Sequence, residues 1–358
     1  MSERWLVAMS GGVDSSVAAA LLARGGAEVV GVTMDLGGPG VEAAPAKRCC
    51  GLRDAIDARA VAQTLGIRHY VANYREPFRK HVIEPFAEAY LNGATPIPCV
   101  ACNRVLKFDV LLARARSLGA RGVATGHYAR IGPGPDGRPA LYRSRDRGKD
   151  QTYFLFDLDR ETLAQLAFPL GDLDKREVRQ LARELELATA DKPESQGICF
   201  IPDGDVRAAV RRLRPEADAG SGEIVDAEGE VLGSHSGAVG YTPGQRKGLG
   251  LANGPWYVTE VRPRENRVVV GRADAVWRRT VEVGRPNWLE SEPPSDPVRV
   301  QIRHRHRAVP ARVAGAVDGG VRFELEEPVW APAPGQAAVV YDAADERVLG
   351  GGWITGSG

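Results

Sequence analysis

The sequence predicts an α/β protein, with a parallel sheet flanked by helices in its first half and β-rich structure in its second. Three observations carry this. Short apolar runs alternate with helical periodicity from Trp5 to Thr125, the βαβα order of a parallel sheet covered on both faces. From Gly220 the texture changes to short β-branched runs split by Gly and Pro, such as Gly222–Val225, Trp256–Thr259 and Arg267–Val270; turn signals every ~10 residues point to small β domains or a barrel. The length, 358 residues, suits two or three domains better than one.

Taken in order, Trp5-Leu6-Val7-Ala8-Met9 is a buried strand, Ser15–Arg24 a helix stopped by Gly25-Gly26, and Glu28–Met34 the next strand. Asp54–Leu65 is a helix capped by Gly66, His69–Ala72 a strand, Glu84–Leu91 a helix, Lys107–Leu118 a helix and Gly122–Thr125 a strand. The alternation fades after Cys199. The Pro- and charge-rich stretch from Trp277 to Pro297 separates two β-rich parts, which sets expected domains at 1–200, 201–276 and 277–358.

The formal net charge of +1 hides a local excess, because residues 299–312 carry arginines and histidines without an acid. Such a stripe meets phosphate or forms a solvated strand face, and charge alone does not separate the two. No apolar run approaches the ~20 residues that span a bilayer. Residues 1–8 lead into a polar glycine turn, unlike a secretory signal. A cytoplasmic protein with no membrane partner is therefore expected. Its five cysteines, Cys49, Cys50, Cys99, Cys102 and Cys199, are odd in number and scattered, which argues for chemistry or metal binding over a disulfide framework.

Ser10-Gly11-Gly12-Val13-Asp14-Ser15-Ser16 falls between the first strand and the first helix, at the sheet edge where α/β folds bind ligands. Small residues let backbone N–H groups approach a phosphate, and the helix N-terminus adds a favourable dipole. The segment lacks the Gly-Lys-Ser/Thr ending of a Walker loop and the Gly-x-Gly-x-x-Gly of a dinucleotide turn. The heptapeptide resembles the pyrophosphate loop (PP-loop) of the ATP pyrophosphatases, which adenylate a substrate oxygen. That resemblance implies ATP contacts from Ala8, Met9, Ser10, Gly11, Gly12, Val13, Asp14 and Ser15, with Asp14 reaching Mg²⁺. It also places Met34 by the adenine and Gly126, in the turn Thr125-Gly126-His127-Tyr128, at the nucleotide.

Two small polar cysteine loops, Pro98-Cys99-Val100-Ala101-Cys102-Asn103 and Ser195-Gln196-Gly197-Ile198-Cys199-Phe200, turn attention to sulfur. A cysteine near a helix N-terminus or a cation has a lowered pKa and more of the reactive thiolate. Together with Lys107-Phe108, Lys149 to Phe154, Gly244-Gln245-Arg246-Lys247-Gly248 and Pro334-Gly335-Gln336, these segments make nearly the whole chain resemble the bacterial tRNA 2-thiouridylases. The resemblance implies a PP-loop domain, a small central domain and a C-terminal β-barrel that touches tRNA.

It further implies adenylation of the wobble-uridine O2 in tRNAs for Lys, Glu and Gln. Cys199 is then the persulfide carrier and Cys102 the nucleophile that assists sulfur release, and the two end as a disulfide reset by reductant. The sulfur donor is a cysteine desulfurase or sulfur-relay protein. Some members carry Asp at the position of Cys99. A rival reading of the cysteines is a [4Fe–4S] cluster on Cys99, Cys102 and Cys199. Amide- or nitrogen-transferring PP-loop ligases are a second rival, and a non-catalytic RNA-binding protein a third.

A wobble uridine lies in the single-stranded anticodon loop, so a protein can splay it into a pocket. The tRNA anticodon stem-loop is accordingly the expected partner, with His127, Lys149, Asp150, Gln151, Arg246, Lys247, Arg303, His304 and Gln336 as contact residues. Many family members carry Tyr where His304 stands.

Overall fold

The apolar run Trp5-Leu6-Val7 becomes the centre of a parallel sheet because neighbours cover both of its faces. The computed structural model describes residues 2–37, 51–194, 197–215, 220–290, 293–294 and 297–358. Cys49, Cys50, Ser195 and Gln196 lie outside the described residues. Contacts divide the chain into two units. The first holds Met1–Val82, Cys99–Gly204 and Glu346–Val348, and the second Ile83–Pro98, Asp205–Asp345 and Leu349–Gly358.

In the first unit, strands β1 (Arg4–Ala8), β2 (Glu28–Asp35), β3 (Arg68–Asn73), β4 (Gly122–Ala124) and β7 (Leu166–Ala167) form a five-stranded parallel sheet in the order β3-β2-β1-β4-β7. Helix α1 (Val13–Arg24) starts two residues before the expected Ser15 and α2 (Leu52–Thr64) two before Asp54. Fully buried Ala18, Ala19 and Ala20 let α1 sit close to the sheet, where Val13 and Val17 join Val7, Val29 and Val61 in one core.

A helix at Lys175–Glu184, absent from the sequence expectations, adds Val178 and Ala182 to that core. Its start is fixed by a capping box. The Asp174 carboxylate accepts from the backbone N–H of Arg176 and Glu177, and Glu177 accepts from the N–H of Asp174. The antiparallel hairpin of β5 (Ala129–Pro133) and β6 (Pro139–Arg143) also departs from the expected alternation.

The helix expected from Lys107 begins earlier. Chain from Pro98 to Ser117 is helical, with a wide π-helical stretch at Cys102–Val110. Cys102 thus lies inside a helical run and not just before one. π-helical segments are uncommon and concentrate at functional sites.

In the second unit, β8 (Gly222–Val225), β9 (Val231–His235), β10 (Tyr257–Arg262) and β11 (Arg267–Gly271) form a sheet in the order β10-β11-β8-β9 over Ile224, Tyr241, Val258, Val268 and Val270. Strands β12 (Trp277–Trp288), β13 (Val298–Gln301), β14 (Val309–Val317), β15 (Gly320–Trp330), β16 (Ala337–Asp342) and β17 (Val348–Ser357) close a barrel in the order β12-β15-β14-β13-β16-β17. Alternate residues such as Val281, Val283, Phe323 and Leu325 fill it, as the period-2 pattern of a small barrel requires. Among the described residues, no helix is long and apolar enough to cross a membrane.

Candidate nucleotide and thiol site

The loop between β1 and α1 is held open by its own small residues. Gly11 has φ +70°, and a Cβ there would come within 2.2 Å of the Asp54 carbonyl oxygen, so only glycine fits. The Ser15 hydroxyl accepts from the Ser10 N–H at 3.1 Å and donates to the Gly12 carbonyl at 3.1 Å. Gly12 caps α1 without a side-chain partner for the helix N–H groups, which leaves the first turn available to an anion. Gly126, just past β4, packs against this turn, and a Cβ on it would lie 2.6 Å from the Ser15 nitrogen. Ser10, Gly11, Gly12, Asp14, Ser15 and Gly126 are therefore gathered in one place. Met34 is buried at the end of β2.

Charged side chains that sequence reading missed surround the loop. The Lys192 ammonium donates to the Gly11 carbonyl at 2.8 Å and to Asp54 at 2.7 Å, and also pairs with Asp57. Burial acts to lower the Lys192 pKa, but the two carboxylates outweigh it and raise it. The Asp14 carboxylate accepts from the Tyr128 hydroxyl at 2.9 Å and from the Lys175 ammonium at 2.6 Å. Burial and the Asp14 charge push the Tyr128 phenol up, so it stays a donor. Glu194 accepts from Lys149 at 2.6 Å and pairs with Lys175 at 3.2 Å. Burial alone would raise Glu194, yet the two ammonium groups hold its carboxyl below the usual range. No local pattern announces Lys175 or Lys192, because each arrives from more than 130 residues away in sequence, and Glu194 joins them only through Lys149 and Lys175.

The described cysteines are thiols, with Cys99 exposed and Cys102 and Cys199 half-buried. The lowered pKa expected of a helix-start cysteine is not found at Cys102. Burial pushes its thiol up, and Lys107 draws it back only in part. Less thiolate at neutral pH follows from a raised pKa. Alkylation of Cys102, followed by peptide mass spectrometry, is expected to climb through a midpoint above the ~8.5 of free cysteine, and K107A should move that midpoint higher still. A midpoint at or below free cysteine would contradict the desolvated setting.

Among the described residues, no three His, Cys, Asp or Glu side chains assemble as a metal-holding group. The arrangement therefore does not support a [4Fe–4S] cluster on Cys99, Cys102 and Cys199. Gly197, with φ +81°, makes the turn that presents Cys199, and the Phe200 ring packs edge-on against Phe78 at 5.8 Å.

The expected RNA-contact residues fall into two kinds. Within the first unit, His127 is buried between Phe108 and Phe168 with its Nδ1 2.6 Å from the Thr125 hydroxyl. Burial, assisted by Lys107, holds His127 well below the usual imidazole range. Asp150 is also buried; it pairs with Arg143 and accepts from the Ser144 N–H and the Thr152 hydroxyl. The Gln151 side chain accepts from the Tyr128 N–H at 2.9 Å. Lys149 and Gln151 are half-buried, and Lys149 pairs with Glu194.

Within the second unit, Arg246 and Lys247 are exposed on a turn whose Gly244 has φ +84°. Arg303 donates to the Ala331 carbonyl at 2.6 Å, and His304 is half-buried. Gln336 donates to the Thr95 carbonyl at 2.7 Å.

Known proteins match this chain along its length. The family model described as tRNA methyl transferase HUP domain matches residues 3–203, the tRNA methyl transferase PRC-barrel domain residues 211–272, and the aminomethyltransferase beta-barrel domain residues 278–354. A protein of Rhodospirillum rubrum named tRNA-specific 2-thiouridylase MnmA is 50% identical, with 99% of this chain and 96% of that protein covered. Proteins of the same name from Rhodospirillum centenum and Methylorubrum populi are each 50% identical over 98% of this chain, covering 91% and 93% of their own lengths. With identity at this level from end to end and all three domain models in register, the chain belongs to the tRNA-specific 2-thiouridylase family.

Proposed function

We infer that this protein is an ATP-dependent tRNA-uridine 2-sulfurtransferase, acting on the wobble uridine of tRNAs for Lys, Glu and Gln. The observation that carries the reading is the 50% identity to the R. rubrum 2-thiouridylase across 99% of the chain. The loop geometry supports it, since an uncapped helix start beside Gly11 and Gly126 suits a triphosphate. The matched domain descriptions mention methyl transfer, but the relatives' names and two half-buried thiols favour sulfur.

In this reading the uridine O2 attacks the α-phosphorus of ATP and pyrophosphate leaves. The terminal sulfur of a Cys199 persulfide attacks C2, and the C2–O bond breaks to release AMP. The Cys102 thiolate then attacks the Cys199 sulfur, breaking its bond to the transferred sulfur, which stays on C2 as 2-thiouridine. A Cys102–Cys199 disulfide results, and external thiols reduce it. Adenylation turns a poor leaving oxygen into a good one, and the persulfide is a stronger nucleophile than water. The low thiolate content of Cys102 at rest suits a group that acts last.

Ala8 to Ser15, Met34 and Gly126 serve ATP. Asp14 suits Mg²⁺, since its carboxylate already holds a cationic ammonium; the ion, when bound, offsets phosphate charge. Lys149, Arg246, Lys247, Arg303 and His304 face RNA, while His127, Asp150, Gln151 and Gln336 shape the backbone beside those contacts. A cysteine desulfurase or relay protein loads Cys199, and the reaction takes place in the cytoplasm.

The test is to incubate the purified protein, free of iron, with Mg-ATP, a persulfide-generating desulfurase and unmodified lysine tRNA, then digest the RNA. 2-Thiouridine by mass spectrometry is the expected result. Its absence, with the protein folded and the tRNA intact, would remove the sulfurtransferase reading.

A further inference from the structure

We propose that Lys175 is the cation that receives the triphosphate, and that before nucleotide arrives it occupies the cation position at Asp14. The proposal rests on reading Ser10–Ser16 as an ATP loop. That loop contains no Lys or Arg, whereas a Walker loop carries its own phosphate-binding lysine. Backbone N–H groups and a helix dipole orient phosphates, but a polyanion also needs charge-assisted partners. Placed at the start of α1, it would also face the Asp14 carboxylate, a like charge.

Lys175 meets that need from outside the loop. It is the first residue of the helix Lys175–Glu184, whose start is fixed by the Asp174 capping box and whose body is anchored by Val178 and Ala182. Its side chain is only 12% exposed, with Nζ 2.6 Å from Asp14 Oδ1 and 3.2 Å from Glu194 Oε1. An ammonium so nearly buried needs anionic partners, and two carboxylates supply them. Each carboxylate has a further donor, Tyr128 for Asp14 and Lys149 for Glu194. The lysine can therefore swing on its flexible stem toward a phosphate without stripping either carboxylate of its last hydrogen bond. Asp14 then becomes available to a metal ion, and Lys175 in the empty protein is the ion's competitor.

The test compares full-length wild type, K175Q and K175R. None of these changes touches the capping box, which uses backbone N–H groups and the Asp174 and Glu177 carboxylates. Calorimetry with Mg-ATP is expected to show K175Q binding about ten- to a hundred-fold more weakly than wild type, the loss of one charged hydrogen bond, and K175R restoring most of it. Without nucleotide, Mn²⁺ titration followed by electron paramagnetic resonance is expected to show K175Q binding the ion several-fold more tightly than wild type, with K175R like wild type. Equal Mg-ATP affinity in wild type and K175Q, or unchanged Mn²⁺ affinity, overturns the proposal and leaves the function standing. Wild type that binds no Mg-ATP removes the nucleotide-loop reading, and this proposal falls with it.

Discussion

Replacing Cys199 by serine is expected to lower 2-thiouridine formation by about 10³-fold or more, the scale of nucleophile removal, while leaving tRNA-dependent pyrophosphate release intact. The reason lies in the separation of the two half-reactions. In the proposed mechanism adenylation uses the loop around Ser10–Ser16 and Gly126, whereas Cys199, two residues after the φ +81° turn at Gly197, enters only when sulfur is delivered. Measuring pyrophosphate and 2-thiouridine in the same reaction separates them. Cys102→Ser should also keep pyrophosphate release but stall with sulfur still attached to the enzyme, giving at most one turnover. If C199S thiolates at the wild-type rate, the persulfide assignment fails. If it also loses pyrophosphate release while remaining folded and able to bind ATP, the two half-reactions are not separable as described.

Asp150→Ala is expected to destabilise the first unit by about 3–5 kcal/mol, the cost of leaving a buried charge without its partner. The Arg143 and Asp150 side chains are 8% and 5% exposed and meet at 2.8 Å, and Asp150 also ties the Ser144 N–H and the Thr152 hydroxyl. A thermal melt would show the loss as a drop of many degrees. An unchanged melting temperature with weakened tRNA binding would instead make Asp150 a direct RNA contact. Lys149, Asp150 and Gln151 are adjacent in sequence, and all three are expected RNA contacts. In the structure Asp150 is buried on Arg143, whereas Lys149 is half-buried and pairs with Glu194.

The parts of the molecule legible in sequence are those written in local pattern. Trp5–Ala8, Glu28–Asp35 and α1 follow from apolar periodicity, and the loop between them from its glycines and serines. The barrel strands announce themselves by alternation, as in Val321, Phe323 and Leu325. The hairpin β5–β6 escaped because Ala129–Arg143 mixes Gly and Pro with few apolar residues. The helix at Lys175–Glu184 escaped because charged residues dominate it, and only its Val178, Leu181 and Ala182 pack on the core. Cys102, expected just before a helix starting near Lys107, lies instead within the helical run that begins at Pro98, a residue tolerated in a first turn.

The site's charge relay was illegible for a different reason. Lys175, Lys192 and Glu194 acquire meaning only when the sheet brings them to Asp14, Gly11 and Lys149, and long-range pairing leaves no local trace.

The first unit includes Glu346, whose carboxylate accepts from Arg130 at 2.9 Å and pairs with Arg147, and whose carbonyl accepts from the Arg143 N–H at 2.8 Å. During synthesis, domains generally fold from the N-terminus as they emerge. Here Arg130, Arg147 and the backbone N–H of Arg143 lack their Glu346 contacts until residue 346 has been translated. The nucleotide-binding unit is thus born incomplete and is sealed by a late-arriving segment. Truncation before that residue, or a slow ribosome between residues 204 and 346, would leave it exposed to chaperones and proteases for the whole interval.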